Sequence, residues 1–303
     1  MNVHRATPDD LAPAVELLRA VEEADTGEAE WDERQLREHW STLELEHDVW
    51  LFEVDGRLAG YADLEVRPGG RVMSDGYVHP ELRGRGVGSE ILRLAEEEAR
   101  RRTDADGGRL YLQNATTSHA DGFYHSRGFS PVRRFRRMAI ELEREPEVDV
   151  PPGVVLRTIH RGEEPAIHAL LEDAFAEHWE HRRRGYEEYA ERTFDRGDYD
   201  PTLCPVAEVD GVLAGASLNW WKDMGDWGWI GTVGVVPAFR GRGIGEALVR
   251  WSFAELFRRG ERRVALGVDA QNETGAARLY ERLGMRTLWE AAVWEKELRG
   301  AAS

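Results

Sequence analysis

The sequence predicts an α/β fold, a mixed and mostly antiparallel sheet flanked by helices, built twice in one chain. Three observations carry that expectation. Glu53-Val-Asp-Gly-Arg-Leu-Ala-Gly60 recurs as Glu208-Val-Asp-Gly-Val-Leu-Ala-Gly215, and Arg83-Gly-Arg-Gly-Val-Gly88 recurs as Arg240-Gly-Arg-Gly-Ile-Gly245. Tyr124…Gly128-Phe129 recurs as Tyr280…Gly284-Met285, in the same order and near the same separation. Matches in one register mean a duplicated domain. Within each copy, apolar strand-like runs come first and a glycine-punctuated loop then opens an amphipathic helix, which gives a sheet with helices on both faces.

The elements follow in order. Val3–Ala6 reads as a short strand and Pro8–Val21 as a helix, with Leu11, Ala14, Val15 and Leu18 on one face and Asp9 and Asp10 in its first turn. Gln35–Trp40 reads as a second helix. Val49–Val54 and Leu58–Val66 read as strands joined at Asp55-Gly56, a strong hairpin signal. Arg71–Val78 is the expected fourth strand, followed by the glycine loop and a helix to about Arg102. Leu110–Leu112, a helix near Ser118–Ser126 and a strand over Phe135–Leu142 complete the unit. The run Glu145-Pro-Glu-Val-Asp-Val-Pro-Pro-Gly153 lacks periodicity and reads as a linker. The expected division is thus a unit over 1–145, a linker over 146–153 and a second unit over 154–300. In the second unit, the helices over Glu163–Trp179 and Gly185–Phe194 are expected to be longer than their counterparts.

Composition narrows the class. A chain of 303 residues suits two ordinary domains, and 41% hydrophobic residues suit packed cores. A net charge of −17 excludes nonspecific nucleic-acid binding, because the phosphates would be repelled. The same charge suits a cationic amine, although acidic surfaces also serve solubility. No apolar run approaches the ~20 residues of a membrane span, and the polar start is not a signal peptide. The single cysteine, Cys204, excludes an internal disulfide, so a cytoplasmic protein is expected, working as a monomer or homodimer. His178 and His181 lack the carboxylate or cysteine neighbours of a metal site in the sequence, so no metal is expected.

The chemistry centres on Val233-Gly-Val-Val-Pro-Ala-Phe-Arg-Gly-Arg-Gly-Ile-Gly-Glu246. Gly241, Gly243 and Gly245 can adopt angles closed to other residues, so their N–H groups can turn together toward an anion at the positive end of the following helix. Arg240 and Arg242 add charge suited to phosphate oxygens. The loop reads as a pyrophosphate cradle. It is not the loop of nucleotide hydrolases, which needs Gly-Lys-Ser/Thr, nor the dinucleotide fingerprint, whose glycine spacing and acidic partner are missing.

The arrangement Arg-x-x-Gly-x-Gly after a strand ending in Val-x-Pro resembles the coenzyme A loop of the GNAT superfamily of N-acetyltransferases. The resemblance covers nearly all of both units. It implies acetyl-CoA as cosubstrate and a small-molecule amine as acceptor. It also implies cofactor contacts at Val233, Val235, Arg240, Gly241, Arg242, Gly243, Ile244, Gly245 and Asn272. In the first unit the matching contacts are Val78, Arg83, Gly84, Arg85, Gly86, Val87, Gly88, Asn114 and Tyr124. The superfamily places a tyrosine after strand five to protonate the departing thiolate, and here that residue is Tyr280, in Leu279-Tyr-Glu-Arg-Leu-Gly-Met285. A base is harder to place. Asp226 precedes the fourth strand of the second unit and is the candidate. Asp75 aligns instead with Thr232 and reads as a solvated turn aspartate.

Two questions stay open in the sequence. Trp220, Trp221, Trp227 and Trp229 around one turn suit either an acceptor pocket or a hairpin with aromatic pairs across its strands. The first unit keeps its cradle and Tyr124, but the stretch from Asn114 to Tyr124 is longer than that from Asn272 to Tyr280, and Gly122 weakens the helix. The second unit is therefore expected to be the catalytic one. The alternative from another class is a noncatalytic acyl-CoA-binding sensor or scaffold.

Overall fold

The computed structural model describes residues 1–103, 108–115, 120–179, 181–224, 227–272 and 274–298. The chain forms two compact units, Met1–Arg136 together with Trp289–Ser303, and Arg137–Leu288. They divide the chain differently from the expected linker boundary. The residues that close the first unit's sheet come from the chain's far end.

In the first unit, β1 (Asn2–Arg5) leads into α1 (Leu11–Thr26), α2 (Glu33–Trp40) and the short α3 (Leu45–Asp48). The helix α1 starts after a turn at Pro8–Asp10, where Thr7 and Asp10 form a capping box, and Asp32 and Gln35 form another at the start of α2. Next come β2 (Val49–Val54) and β3 (Arg57–Asp63), joined at Asp55 (φ 53°) and Gly56 (φ 74°). Two successive positive angles make the tight turn whose twist matches antiparallel strands. The expected third strand ends at Asp63, and Glu65–Arg67 forms a separate β4.

The expected fourth strand is also interrupted. It is β5 (Arg71–Ser74) and β6 (Gly76–Val78), with Asp75 in the break. β6 pairs with β3, whereas β5 pairs with β4 and with β7 (Gly108–Ala115). Between them in the chain lies α4 (Val87–Arg102), and after β7 come α5 (Asp121–His125) and β8 (Ser130–Glu141). The strand β14 (Arg286–Leu298) closes this unit, pairing antiparallel with β7 from Ala291↔Ala115 to Leu298↔Gly108. Its Trp294 is 1% exposed, among Leu110, Leu112, Tyr124 and Phe129.

The second unit repeats the order: β9 (Val154–Thr158), α6 (Glu164–Ala174), α7 (Tyr186–Glu191), β10 (Pro205–Val209), β11 (Val212–Met224), β12 (Trp227–Val235), α8 (Ile244–Arg258), β13 (Arg263–Asp269) and α9 (Ala276–Arg282). The strand order β9-β10-β11-β12-β13 is antiparallel up to β12 and parallel from β12 to β13. Asp210 and Gly211 repeat the hairpin turn, with φ of 51° and 76°. The two early helices are shorter than expected: α6 has 11 residues, against 16 in α1. The chain leaves helix at Phe175, where ring contact with His178 begins an irregular connection.

The repeated glycine that ends each hairpin motif has a packing cause. A side chain at Gly60 would lie 2.6 Å from Val87 at the start of α4, and one at Gly215 would lie 3.1 Å from Leu248 of α8. Each helix therefore lies close against its sheet. The tryptophan run resolves toward the hairpin. Trp220 and Trp229 are register partners across β11 and β12, Trp220 is buried, and Arg263 covers Trp227 at 3.7 Å.

Candidate active site

Both cradles have the geometry their glycines allow. After β6, a turn at Pro80–Leu82 leads to Gly84 (φ 80°) and Gly86 (φ 89°), and Gly86 caps α4. After β12, a turn at Pro237–Phe239 leads to Gly241 (φ 76°) and Gly243 (φ 80°), and Gly243 caps α8. These are left-handed angles, which leave the first helical N–H groups open to an anion. The third glycine answers to packing. Gly88 faces Phe123 of α5 at 3.5 Å and Gly245 faces Leu279 of α9 at 3.6 Å, so each cradle is seated beside the helix that carries its tyrosine.

The arginines divide by role. The guanidinium of Arg240 donates to the carbonyls of Val235 (3.2 Å) and Ala174 (2.9 Å) and to Glu177 (3.0 Å). It ties β12 to the end of α6. Arg242 stands over the ring of Phe239. Arg83 donates to Asp25 and Arg85 to Asp55, each at 2.9 Å. Ile244 and Val87 are the first residues of their helices and are both buried in the cores. Val233 and Val235 lie on β12, opposite Ser217 and Gly215, and Val78 ends β6.

Tyr280 and Tyr124 are both buried, 7% and 8% exposed. Neither hydroxyl has a hydrogen-bond partner among the described residues. Burial alone pushes the Tyr280 phenol up to about 12. Burial raises Tyr124 further, aided by the negative charges of Asp75, Asp121 and Asp25. Both stay protonated over any ordinary pH. Asn272 accepts from the backbone N–H of Thr274 at 2.7 Å and meets His178 at 3.4 Å, which starts the turn into α9. Asn114 accepts from the indole of Trp294 at 2.6 Å and donates to the carbonyl of Ala115. Asp226 lies outside the described residues. Among the described residues no group of three or more histidines, cysteines or carboxylates is arranged to hold a metal ion.

Asp75 is half-buried and lines a cavity, where the sequence suggested a solvated turn residue. The first unit carries a half-open cavity of about 700 Å³ whose lining includes Glu22, Asp75, Tyr77, Arg83, Asn114 and Tyr124. The break between β5 and β6 turns Asp75 toward this space. Behind it lies Asp63, which is 5% exposed and accepts from Tyr61 (2.9 Å) and pairs with His39 (2.8 Å). The backbone N–H of Asp75 donates to Asp63 at 3.3 Å. Burial and then the charge of Asp63 push the Asp75 carboxyl up to about 7. Burial opposes a charge on His39, but its bond to Asp63 and the charges of Asp63, Asp75 and Glu65 outweigh that and raise it. Sequence spacing gave no sign of this cluster, because its members lie on α2, β3 and the strand break.

A strand, a glycine loop capping a helix, and a buried phenol beside it, present twice, define an acyl-carrier transferase. Residues 165–285 match the model of the acetyltransferase (GNAT) family, and residues 46–131 match that of an acetyltransferase (GNAT) domain. The chain belongs to the GNAT family of acetyltransferases as a tandem-domain member, and it is an N-acetyltransferase. It is 33% identical to the mycothiol acetyltransferase of Thermobispora bispora, over 95% of this chain and 96% of that one. To the mycothiol acetyltransferase of Streptomyces griseus it is 31% identical, over 94% and 92%. The crystal structure of a GCN5-related N-acetyltransferase from Sphaerobacter thermophilus superposes with a TM-score of 0.87 at 31% identity, covering 100% and 97%. A tandem GNAT protein from the clavulanic acid biosynthesis pathway gives a TM-score of 0.77 at 18% identity, covering 100% and 99%, and shares the fold. No helix among the described residues is long and apolar enough to cross a membrane.

Proposed function

We propose that the enzyme moves the acetyl group of acetyl-CoA to the primary amine of a small molecule while both are bound. The observation that carries this is the glycine cradle capping α8, seated against the helix that carries the buried phenol of Tyr280. The residues fit the coenzyme. Gly84, Gly86 and Gly241 have empty space where a side chain would be, at the positive ends of helices. Acetyl-CoA supplies an acetyl group already activated as a thioester. In the carboxyl-terminal unit the amides of Gly241, Gly243 and Gly245 hold the diphosphate, Arg242 adds charge, and β12 from Val233 to Val235 aligns the arm. Asn272 fixes the turn that presents Tyr280. The Tyr280 phenol, kept neutral by burial, donates its proton at sulfur. Asp226 is the candidate base of this unit.

Similarity to mycothiol acetyltransferases over almost the whole chain favours a second, narrower reading, in which the acceptor is a cysteinyl amino-sugar. The test is thiol release from acetyl-CoA with a panel of amines, aminoglycosides and desacetyl mycothiol. Tyr280→Phe lowers turnover about ten-fold or more with acetyl-CoA affinity kept, within the range of a lost general acid. Unchanged turnover would remove Tyr280 from the mechanism. Thiol release with none of the acceptors, despite tight acetyl-CoA binding, would make the protein a sensor instead.

A further inference from the structure

Two strands part inside the carboxyl-terminal unit, beside the cradle. β12 and β13 run parallel in register from Gly228↔Val264 to Ile230↔Leu266, and both continue beyond that point, to Val235 and Asp269. The connection that follows α6 is fastened to both sides of the gap. On the β12 side, a side chain at Gly234 would lie 2.8 Å from Leu171 and 3.0 Å from Ala174, and Arg240 holds the carbonyls of Ala174 and Val235. On the β13 side, Nε2 of His178 meets the side-chain nitrogen of Asn272 at 3.4 Å, in the turn between β13 and α9. His178 is half-buried and links the cradle strand's side of the gap to the turn that presents Tyr280.

The bonds of Asn272 fix the state of this imidazole. Its side-chain oxygen accepts from the backbone N–H of Thr274 at 2.7 Å and from the Thr274 hydroxyl, so its amide nitrogen is the group that faces His178. An amide nitrogen only donates, so Nε2 of His178 carries a lone pair there and no proton. At 3.4 Å the bond is long, and the lone pair is lightly held. An ammonium N–H displaces it, because charge-assisted hydrogen bonds are shorter and about twice as strong. Other groups of the unit are poorly placed for this work. Thr232 stands opposite Leu218 on β12, at the position that matches Asp75, and its hydroxyl takes up no proton near neutrality. Asp226 precedes Trp227, which is six residues along β12 from Val233, about 20 Å of extended chain. His181 has its Nε2 engaged by Glu172 at 3.1 Å.

We propose that His178 is the proton acceptor for the amine in the carboxyl-terminal site, working from the connection that spans the gap between β12 and β13. This rests on the acyl-transfer reading above and gives the base's role there to His178 in place of Asp226. One ammonium N–H bond breaks and one N–H bond forms at Nε2, which leaves a neutral amine and an imidazolium. The amine lone pair then makes the C–N bond at the acetyl carbonyl, and the C–S bond breaks with its electron pair going to sulfur. Tyr280 gives its proton to that sulfur and regains one from the new amide nitrogen. His178 returns its proton to water, so each turnover yields one amide, one thiol and one free proton.

The titratable and charged groups on the elements around His178 are Glu172, Glu177 and His181 on α6 and the connection, Arg240 in the cradle, Asp269 at the end of β13 and Tyr280 on α9. His181 shares the imidazole range, so the experiment separates the two. The full-length enzyme, saturated with acetyl-CoA, is run from about pH 5.5 to about pH 10 with ethanolamine, tyramine and desacetyl mycothiol, and the acetylated product is read by mass spectrometry.

The kcat/KM for the amine should rise about ten-fold per pH unit up to the range where imidazoles titrate, about pH 6–7, and level off above it. In His178→Gln it should fall at least about 100-fold near pH 7.5 and keep rising to the amine's own value, about 8–10, with the KM for acetyl-CoA unchanged. A merely structural role would lower the rate and leave the acid limb in place. His181→Gln should keep the limb. Asn272→Ser removes the amide aimed at Nε2, a donor that favours the neutral imidazole, so the limb should move to higher pH. That second variant keeps the test open if His178→Gln folds poorly. An acid limb unmoved in both His178→Gln and Asn272→Ser, or moved instead by His181→Gln or Asp226→Asn, would overturn the role of His178 and leave the transfer reading standing. Acetyl-CoA bound with no acetylated product from any of the three amines would overturn the function proposed above and this role with it.

Discussion

At Asp75 the folded protein holds a proton more tightly than the unfolded chain does, which reverses the usual carboxylate pattern. The native state binds more protons between the ordinary value of 3.8 and about 7. Stability therefore falls as pH rises through that window, and the penalty is fully present above it. A shift of this size corresponds to about 2–4 kcal/mol once the open cavity face is allowed for. Asp75→Asn should thus be more stable than the unmodified protein by about that amount near pH 8, and equal to it near pH 4, as read from urea midpoints. Equal stability at both pH values would mean that the carboxylate is solvated. None of this was legible in the sequence. Matching Pro80 to Pro237 set Asp75 opposite Thr232 and made it look incidental. What changes its meaning is a strand break that no residue pattern announced, together with Asp63, which reaches it from another strand. Tyr280 and Tyr124 were legible, because a helix–glycine pattern fixes where such a phenol sits.

Among the elements, the cradles were the most legible part, since positive φ at Gly84, Gly86, Gly241 and Gly243 follows from the loop's glycine spacing. The flanking arginines were not, because composition cannot show what a guanidinium touches. Arg240 spends its donors on the Val235 and Ala174 carbonyls and on Glu177, so it holds β12 against the end of α6. Arg242 is engaged only by the Phe239 ring among the contacts described. The two should therefore separate experimentally. Arg240→Ala should cost about 1–3 kcal/mol of stability, since two carbonyls lose charged donors. Arg242→Ala should leave stability unchanged and weaken acetyl-CoA binding by about ten-fold, the scale of one charge-assisted phosphate contact. Denaturation midpoints and calorimetric affinities measure the two effects, and loss of affinity with intact stability in Arg240→Ala would reverse the assignment.

For the whole molecule, the duplication was readable from three repeated motifs, but the closing of the first unit's sheet by the chain's last strand was not. Strand sequences with similar alternation do not specify which of two equivalent edges they join. The first unit takes Trp289–Ser303 as its own, and in it β14 pairs with β7 over eight register positions. That strand brings Trp294 into the core at 1% exposure, Ala292 at 1% and Leu298 at 3%. Removing a buried tryptophan alone costs about 3–5 kcal/mol. Losing the strand's hydrogen bonds and exposing the edge of β7 adds to that. The total is comparable with the whole stability of an ordinary domain, about 5–15 kcal/mol. A fragment of residues 1–150, cut at the linker the sequence suggests, should therefore fail to fold cooperatively. It should expose apolar surface to a dye such as ANS, as loosely packed compact states do. Adding a peptide of residues 286–298 should restore a cooperative thermal transition, and the same peptide with Trp294→Ala should restore it poorly. A fragment of residues 1–150 that melted cooperatively without the peptide would show that the unit is closed by its own half of the chain.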